Sequence, residues 1–250
     1  MSKRILVSFV LALGLLVGAT SVQAQEASGP ELMESGANLR DTASLQRGAK
    51  LFMNYCVGCH SLHFIRYSRI ASDLGLTEDE VMNNLNFTGA KFHDPVVSAM
   101  PEEGATQWFG KAPPDLSLIV NNKSSDWVYS YLNSFYLDPS RPVGWNNTVF
   151  PNASMPNVLW ELQGIQVAEY GKPDKAGDPA PVEKLTLKQP GRMTPTQYQA
   201  ATRDITAFLE YVSEPAALKR HSMAPWVLLY LAAFTFLAWL LKHEYWKDVH

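Results

Sequence analysis

Long apolar runs lie near the two ends of the chain. The first extends from Ile5 to Val17 behind two basic residues, and the small-residue site Val22-Gln23-Ala24 follows it. A basic start, an apolar middle and a small-residue end are typical of a secretory signal peptide. We therefore expect residues 1–24 to be cleaved from the mature protein. The alternative is an N-terminal membrane anchor, but the run is short for a span, which needs roughly 20 apolar residues.

The second run, Met223–Leu241, contains no charged residue and is flanked by basic residues on both sides. At about 1.5 Å per residue, a helix of this length matches the roughly 30 Å hydrocarbon core of a bilayer. Aromatic residues near both ends are typical of membrane interfaces. The pattern predicts a transmembrane anchor over residues 223–241, and a buried core helix is the alternative.

The two runs together predict how the chain is oriented. Lysine and arginine are equally frequent on both sides of the second run, so the positive-inside rule does not orient it. An exported N-terminus followed by one membrane-stopping helix places residues 25–222 outside the cytoplasmic membrane. Residues 242–250 then form a short cytoplasmic tail.

Between these runs, helical periodicity and capping signals mark four segments. The predicted helices run from Asp41 or Thr42 to about Tyr55, over residues 77–85, from Ser124 or Ser125 to about Tyr136, and from Thr194-Pro195 to Val212. The second opens with a Thr77…Glu80 capping box. In the first and last helices the apolar positions share one side: Leu45, Ala49, Phe52 and Met53, and Tyr198, Ile205, Leu209 and Val212.

The remaining segments are rich in proline, glycine and asparagine. Residues 86–123 and 137–160 show neither helical nor strand periodicity. Loops of this length in a compact domain need something beyond their own backbone to organise them, and a bulky cofactor would do so. A brief alternation at Val182–Leu187, within the polar stretch 171–193, predicts a small hairpin. The expected fold is mainly α, with a helical core, long inserted loops, this hairpin and one C-terminal transmembrane helix.

Composition and charge narrow the class of protein. With 46% hydrophobic and 11% aromatic residues, the chain is neither disordered nor collagen-like, and two cysteines cannot make a disulfide scaffold. A formal net charge of −3 provides no basic footprint, so no nucleic-acid partner is expected. We interpret the acidic clusters Glu78-Asp79-Glu80 and Glu102-Glu103 as solvated surface. A docking face for a basic partner is the alternative.

The sequence Cys56-Val57-Gly58-Cys59-His60 is C-x-x-C-H, the attachment signature of c-type haem. Its spacing lets two thiols reach the two vinyl groups of one porphyrin edge while the next residue offers an imidazole to the iron. A structural zinc site would need a second cysteine pair, and a thioredoxin-like site would need a βαβ pattern; the sequence has neither. We expect one covalently bound haem c, attached through Cys56 and Cys59, with His60 as an iron ligand.

A second axial ligand is expected unless the iron binds gas or substrate. The candidates are His63, His93, His221, Met33, Met53, Met82, Met100, Met155, Met193 and Met223. Met155 lies in a stretch bounded by Pro151 and Pro156, which restrict the backbone and lower the entropic cost of presenting a thioether. We favour Met155 over Met100, on spacing together with the resemblance described next. A His/Met pair fills both axial positions and favours electron transfer over catalysis at the iron.

Further segments accompany the haem motif in a fixed order. They are Arg47-Gly48-Ala49-Lys50-Leu51-Phe52 before it, Arg66-Tyr67, Ala112-Pro113-Pro114-Asp115-Leu116-Ser117, Val149-Phe150-Pro151 through Met155-Pro156, and Glu214-Pro215 before the C-terminal apolar run. With these segments the chain resembles cytochrome c1, the haem subunit of the bacterial cytochrome bc1 complex, over most of its mature length. The C-x-x-C-H motif alone is shared by many cytochromes. The Pro-Pro-Asp-Leu-Ser segment, the methionine loop and the tail anchor are more specific.

The resemblance implies a c-type cytochrome core that one helix anchors in the bacterial inner membrane beside cytochrome b, with the haem domain in the periplasm. Electrons would pass from the Rieske iron-sulfur protein to a soluble or membrane-bound cytochrome c. The chain would be a subunit of a quinol–cytochrome c reductase within a dimeric complex. By itself it would be an electron carrier without an open catalytic site.

The resemblance also implies roles for individual residues. Cys56 and Cys59 would attach the haem, His60 would be the proximal ligand and Met155 the distal ligand. Candidate haem surroundings are Tyr67, Arg69, Lys111, Pro113 and Pro114. Family members often carry an arginine shortly before the Pro-Pro-Asp-Leu-Ser segment, where it meets a haem propionate. This chain has Gln107-Trp108-Phe109-Gly110-Lys111 there, and Lys111 or Arg69 is the expected substitute.

Three other functions are compatible with parts of the pattern. One is a membrane-anchored monohaem cytochrome serving another oxidase or dehydrogenase, which would have a smaller haem domain with few insertions. Another is a haem-based gas sensor, which needs a vacant or easily displaced sixth ligand. The third is a membrane-tethered binding domain with reactive cysteines and no haem.

Overall fold

The computed structural model describes residues 31–172 and 180–247, which are mainly helical, as predicted. The helices are α1 Thr42–Tyr55, α2 Tyr67–Leu74, α3 Glu78–Asn84, α4 Glu102–Phe109, α5 Ile119–Lys123, α6 Ser125–Asn133, α7 Trp160–Gln163, α8 Pro195–Ser213 and α9 Ala217–Tyr245. The strands are β1 Leu62–Arg66, β2 Pro95–Val96, β3 Phe135–Leu137, β4 Trp145–Asn147, β5 Gly164–Tyr170 and β6 Val182–Pro190. The predicted signal peptide at residues 1–24 and the last residues of the predicted cytoplasmic tail, 248–250, lie outside the described residues.

The centre of the core is the contact between α1 and α8. At Gly48, in α1, a Cβ atom would lie 2.0 Å from the backbone oxygen of Asp204 and 2.8 Å from the Cβ of Phe208. The two helices therefore approach as closely as a glycine permits. The predicted apolar sides of both helices are buried in this core, which confirms their periodicity: Leu45, Ala49, Phe52 and Met53 from α1, and Tyr198, Ile205, Leu209 and Val212 from α8.

The capping signals in the sequence mark the helix starts correctly. The Asp41 side chain accepts a hydrogen bond from the backbone of Ser44 and begins α1. The predicted Thr77…Glu80 capping box begins α3, and an equivalent box formed by Thr194 and Gln197 begins α8. Each box satisfies backbone N–H groups that lack a partner in the first turn of a helix.

The helix predicted from Ser124 or Ser125 to Tyr136 ends earlier, so its C-terminal boundary was wrong. The α6 helix stops at Asn133, and β3 pairs antiparallel with β4, with Phe135 opposite Asn147 and Leu137 opposite Trp145. The run Phe135-Tyr136-Leu137 has a high strand propensity, and its first two side chains are buried in this pairing.

The two segments predicted to be long loops contain short elements. Within residues 86–123, β2 pairs with β1, α4 begins after Pro101 and ends at Phe109, and α5 occupies the last five residues. Gly110, with a φ of +79°, is the C-cap of α4. Ala105 is the one residue of α4 that is buried, so the sequence offers no apolar stripe to reveal this helix. Within residues 137–160, β4 is the short strand that prediction missed.

The predicted hairpin is present and is longer than expected. Strand β6 contains the alternating segment Val182–Leu187, and it pairs antiparallel with β5 from Gly164 opposite Pro190 to Tyr170 opposite Val182. The first strand precedes the polar stretch in which the hairpin was predicted.

The C-terminal helix α9 is long and apolar enough to cross a membrane. Its segment Ser222–Tyr245 has 24 residues and a mean hydropathy of 1.9. The most apolar 18 residues of this segment are not buried against the rest of the protein. A helix that is apolar all round and exposed to this extent requires an apolar solvent, as a bilayer provides. Only Glu214–Ala216 separate it from α8.

Candidate functional site

The C-x-x-C-H motif continues directly from the end of α1. Cys56 is the C-cap residue, and its N–H donates to the Phe52 carbonyl at 2.8 Å. The backbone N–H groups of Cys59 and His60 both donate to the Cys56 carbonyl, at 3.0 and 2.8 Å. These bonds form one tight turn, and both thiols are free. The helix end therefore fixes the positions of the two thiols and the imidazole together.

The imidazole of His60 is oriented by a single hydrogen bond. Its Nδ1 lies 2.7 Å from the Pro114 carbonyl oxygen, which can only accept, so Nδ1 carries the proton and Nε2 has a free lone pair. Burial lowers the pKa of His60, and this effect exceeds the opposing one of the Pro114 carbonyl. A neutral, oriented imidazole of this kind is suited to binding a metal.

The Pro114 carbonyl is fixed in turn by Asp115. The Asp115 carboxylate accepts from the backbone N–H of His63 at 2.9 Å, from His63 Nδ1 at 2.7 Å and from the Ser117 N–H at 2.8 Å. Burial acts to raise the pKa of Asp115, but the hydrogen bonds from Ser117 and His63 outweigh it and lower the pKa. The Pro-Pro-Asp-Leu-Ser segment therefore forms a clamp beside the motif.

An apolar cleft opens beside these groups and encloses, together with open solvent at its mouth, about 560 Å³ of space. The lining comes from three separate segments: Tyr55, Cys56, Cys59 and His60; Phe109, Lys111, Ala112, Pro113 and Pro114; and Ser154, Met155, Pro156 and Val158.

Met155 lines this cleft together with His60, Cys56 and Cys59. It lies in the irregular segment between β4 and α7, where its neighbours Ala153 and Asn157 are both 2% exposed. The structure therefore brings the predicted distal ligand and the predicted proximal ligand to one cavity, although they are far apart in sequence.

The other candidate distal ligands lie elsewhere. Met53 is buried in the helical core, while Met82 and Met193 pack against that core. Met33 and Met223 are exposed, and Met100 lines a neighbouring hollow with His63. The His93 ring packs against Phe92, and the side chain of His221 lies outside the described part of the chain. Among the methionines that the structure describes, Met155 is the one in the cleft.

The predicted haem surroundings divide into two groups. Lys111, Pro113 and Pro114 line the cleft, and Lys111 Nζ lies 5.7 Å from the centre of the Phe150 ring. Tyr67 is fully buried in the core, and Arg69 is ion-paired with Asp73. Neither lines the cleft. Of the two basic residues suggested in place of the usual arginine, Lys111 is therefore the one beside the cavity.

The site also contains residues that the sequence did not single out. Phe109 and Tyr55 contribute aromatic surface to the cleft, and Val158 follows the methionine segment. Phe109 ends the helix α4, which has no sequence signature. Tyr55 and Val158 each lie close in sequence to a predicted ligand, and that proximity is the signal that could have identified them.

Burial governs the acidity of the two cysteines. Burial, with a smaller contribution from Cys59, raises the pKa of Cys56 to about 12. Burial also raises the pKa of Cys59. A raised pKa favours the protonated thiol over the thiolate that acts as a nucleophile or zinc ligand. In residues 31–172 and 180–247, no three His, Cys, Asp or Glu side chains are placed to hold a metal ion among themselves.

The residues present fit a haem. The apolar lining suits a large planar ring, the two thiols are held in one turn beside the cleft, and the free Nε2 of His60 and the thioether of Met155 are ligands suited to iron. The arrangement can hold a redox centre whose two axial positions are both filled by side chains.

Comparisons with known proteins identify relatives of this chain. A family profile described as Cytochrome C1 family matches residues 34–249. Cytochrome c1 of Allochromatium vinosum is 47% identical over 241 residues, covering 96% of this chain and 98% of that protein. A Nitrosomonas europaea protein named ammonia monooxygenase gamma subunit is 41% identical, covering 84% of this chain and 85% of that protein. A Bradyrhizobium diazoefficiens protein named cytochrome b/c1 is 25% identical and covers 84% of this chain, which spans 34% of its length.

Proposed function

The chain belongs to the cytochrome c1 family, and from this premise we propose that it is the electron-transfer haem subunit of a quinol:cytochrome c oxidoreductase. The family implies one covalently bound haem c. In this chain Cys56 and Cys59 would attach it, and His60 Nε2 and Met155 Sδ would be its axial ligands. When bound, the haem supplies reversible one-electron oxidation and reduction at its iron.

The observation that carries this proposal is the shared cleft. The His60 imidazole is committed through Nδ1 to the Pro114 carbonyl and is free at Nε2, and the same apolar cavity contains the Met155 thioether. An imidazole that is oriented through one nitrogen and faces a cavity with the other is suited to binding a metal there. The pair explains why two distant loop segments converge on the end of α1.

The lining also indicates what the site does not do. Lys111 is the one permanently charged side chain among the lining residues, and no carboxylate lines the cleft. General acid–base catalysis needs a titratable group within hydrogen-bonding reach of the reacting atom. With His60 and Met155 both assigned to the iron and no carboxylate in the lining, the site supports electron transfer rather than chemistry on a substrate, and it disfavours a gas sensor.

The companions follow from the family and the anchor. We propose that α9 spans the bacterial inner membrane beside cytochrome b, with the haem domain in the periplasm. The name cytochrome b/c1 of the Bradyrhizobium relative supports the pairing with cytochrome b. A Rieske iron-sulfur protein would be the electron donor, a cytochrome c the acceptor, and the complex would be dimeric.

Purification of the membrane complex in mild detergent tests the proposal. We expect a haem-stained band of this chain after denaturing electrophoresis, a pyridine haemochrome spectrum typical of thioether-bonded haem, and co-purification of cytochrome b and a Rieske protein. Addition of quinol should reduce the haem in the intact complex but not in the isolated chain. Absence of covalent haem would overturn the proposal. Haem with different companions, for example an ammonia monooxygenase, would assign the chain to another electron-transfer system.

A further inference from the structure

The segment that carries Met155 has little backbone pairing of its own. Residues 148–159, named here the methionine loop, lie between β4 and α7 and contain no helix or strand. Backbone N–H groups that are removed from water need partners. In this loop the partners are largely the side chains of asparagines.

Asn147, the last residue of β4, fixes the start of the methionine loop. It is 0% exposed, and its Oδ1 accepts from the N–H groups of Val149 at 2.9 Å and Phe150 at 3.1 Å. Its Nδ2 donates to the Tyr131 carbonyl, in α6, at 2.8 Å. One side chain therefore joins the loop to the helical core.

Asn146 fixes the loop three residues before the methionine. Its Oδ1 accepts from the N–H of Asn152 at 2.8 Å, and its Nδ2 donates to the Asp138 carboxylate at 2.9 Å. Asn152 has a φ of +63°, a left-handed conformation that asparagine adopts more readily than most residues. Its carbonyl accepts from Arg141 Nη2 at 3.3 Å. Both backbone groups of Asn152 are thus held by the β3–β4 hairpin.

The other end of the loop is anchored independently. The Oδ1 of Asn157 accepts from the Leu159 N–H at 3.0 Å, and its Nδ2 donates to Gln163 Oε1, in α7, at 2.7 Å. Residues 153–156 are all that remain between the two anchored points. Met155 therefore has little freedom to leave the cleft while both anchors are intact.

From these contacts we propose that Asn146 and Asn147 are positioning residues that keep the Met155 thioether on the haem iron. They do not line the cleft, and they act through the backbone of the methionine loop. Fixing the loop in advance reduces the conformational entropy lost when the thioether binds. The inference rests on the proposed function, and specifically on Met155 as the distal ligand.

The central test is Asn147→Leu in the full-length, haem-loaded chain, since leucine has a similar shape but cannot form the three hydrogen bonds. We expect the haem to stay attached while the midpoint potential falls most of the way to that of Met155→Ala. The near-infrared absorption typical of methionine-ligated ferric haem should weaken, and the reduced protein should bind carbon monoxide. Asn147→Ser, whose hydroxyl can still accept from the N–H two residues on, should retain more of the native potential.

Ser44→Ala is the matched control, because it removes a different buried hydrogen bond, from Ser44 Oγ to Asp204 at 2.5 Å between α1 and α8. It should lower the melting temperature without changing the potential, the absorption band or the exclusion of carbon monoxide. If Asn147→Leu yields no folded protein, Asn146→Ala provides the same test, since it leaves the side-chain hydrogen bonds of Asn147 intact and removes only those accepted or donated by the Asn146 side chain.

Two outcomes would overturn the inference. One is an asparagine variant that loses thermal stability but keeps the native potential and absorption band. The other is a Ser44→Ala variant that shifts the potential equally, because the effect would then reflect general loosening. An unchanged potential in Met155→Ala would instead reject the ligand assignment in the proposed function, and with it the basis of the inference.

Discussion

The two sides of the cleft that carry the proposed iron ligands are built in different ways. The motif side, residues 55–60, is the end of a core helix, and backbone hydrogen bonds and the close α1–α8 contact hold it in place. The methionine side is an irregular loop held by asparagine side chains from β4. The motif side is part of the hydrophobic core, whereas the loop side is tied to that core mainly through side chains. We therefore expect substitutions on the two sides to affect attachment of the cofactor and its potential separately.

The largest expected effect comes from removing both thiols on the motif side. The double substitution Cys56→Ser and Cys59→Ser should abolish nearly all covalent haem and much of the folded population. The reason is that the apolar cleft would then lie open to water at the end of the core helix. Haem staining of denaturing gels and circular dichroism measure the two losses. A double variant that stained normally and folded normally would contradict the central place given to the motif.

Substitution of the glycine at the helix crossing should destabilise the motif side without touching a ligand. In Gly48→Ala the new methyl would meet the Asp204 backbone oxygen at 2.0 Å, so the helices must separate. Overpacking of this kind costs about 1–3 kcal/mol or more, and because the obstacle is backbone we expect the upper end. Chemical denaturation measures the loss.

The control for this prediction is Gly58→Ala, within the motif itself. A Cβ atom at Gly58 would have nothing within 4 Å, so the free energy of unfolding should change by no more than about 0.5 kcal/mol. Equal losses in the two variants would show that the α1–α8 contact does not limit stability.

On the loop side, Met155→Ala should leave the haem attached and the core folded while lowering the midpoint potential. Axial ligands tune haem potentials over about 0.8 V, and loss of the thioether should account for a decrease on the order of 0.1 V or more. Redox titration of the purified protein measures the shift. An unchanged potential would move the distal ligand elsewhere, with Met100 as the next candidate.

The smallest expected effect is electrostatic. Lys111 lines the cleft, so Lys111→Gln removes a positive charge that disfavours the oxidised, more positive form of the haem. The potential should fall by less than about 40 mV, equivalent to roughly 1 kcal/mol or less for a partly solvated charge. The shift should shrink as salt is added. Arg69→Gln, which neutralises a charge paired with Asp73 away from the cleft, should leave the potential unchanged.

The difference between the motif side and the loop side also explains which features the sequence could predict. The bounds of α1 and α8 and the Thr77 capping box depend on residues within a few positions of one another, so the local pattern contains them. Met155 lines the cleft, where its position between two prolines and the family resemblance led us to expect it.

The missed features depend on contacts between distant residues. The β3–β4 pairing sets Phe135 against Asn147, and the partner of Asn147 in α6, the Tyr131 carbonyl, has no signature in the sequence. The α4 helix buries only Ala105, so its apolar pattern is too weak to detect. Tyr67 belongs to a matching family segment and Arg69 was suggested in place of the usual arginine, but the resemblance could not show that their side chains pack away from the cleft.

The three residues between α8 and α9 limit how far the haem domain can move relative to the C-terminal helix. The Ala217 N–H donates to the Glu214 carbonyl at 3.0 Å, and Arg220 pairs with the Glu214 side chain, so this connection is short and internally bonded. With α8 packed on α1, a haem held in the proposed cleft would keep a nearly constant distance from a bilayer spanned by α9. Donor and acceptor proteins would then have to move to the haem, because the haem domain could not move far toward them.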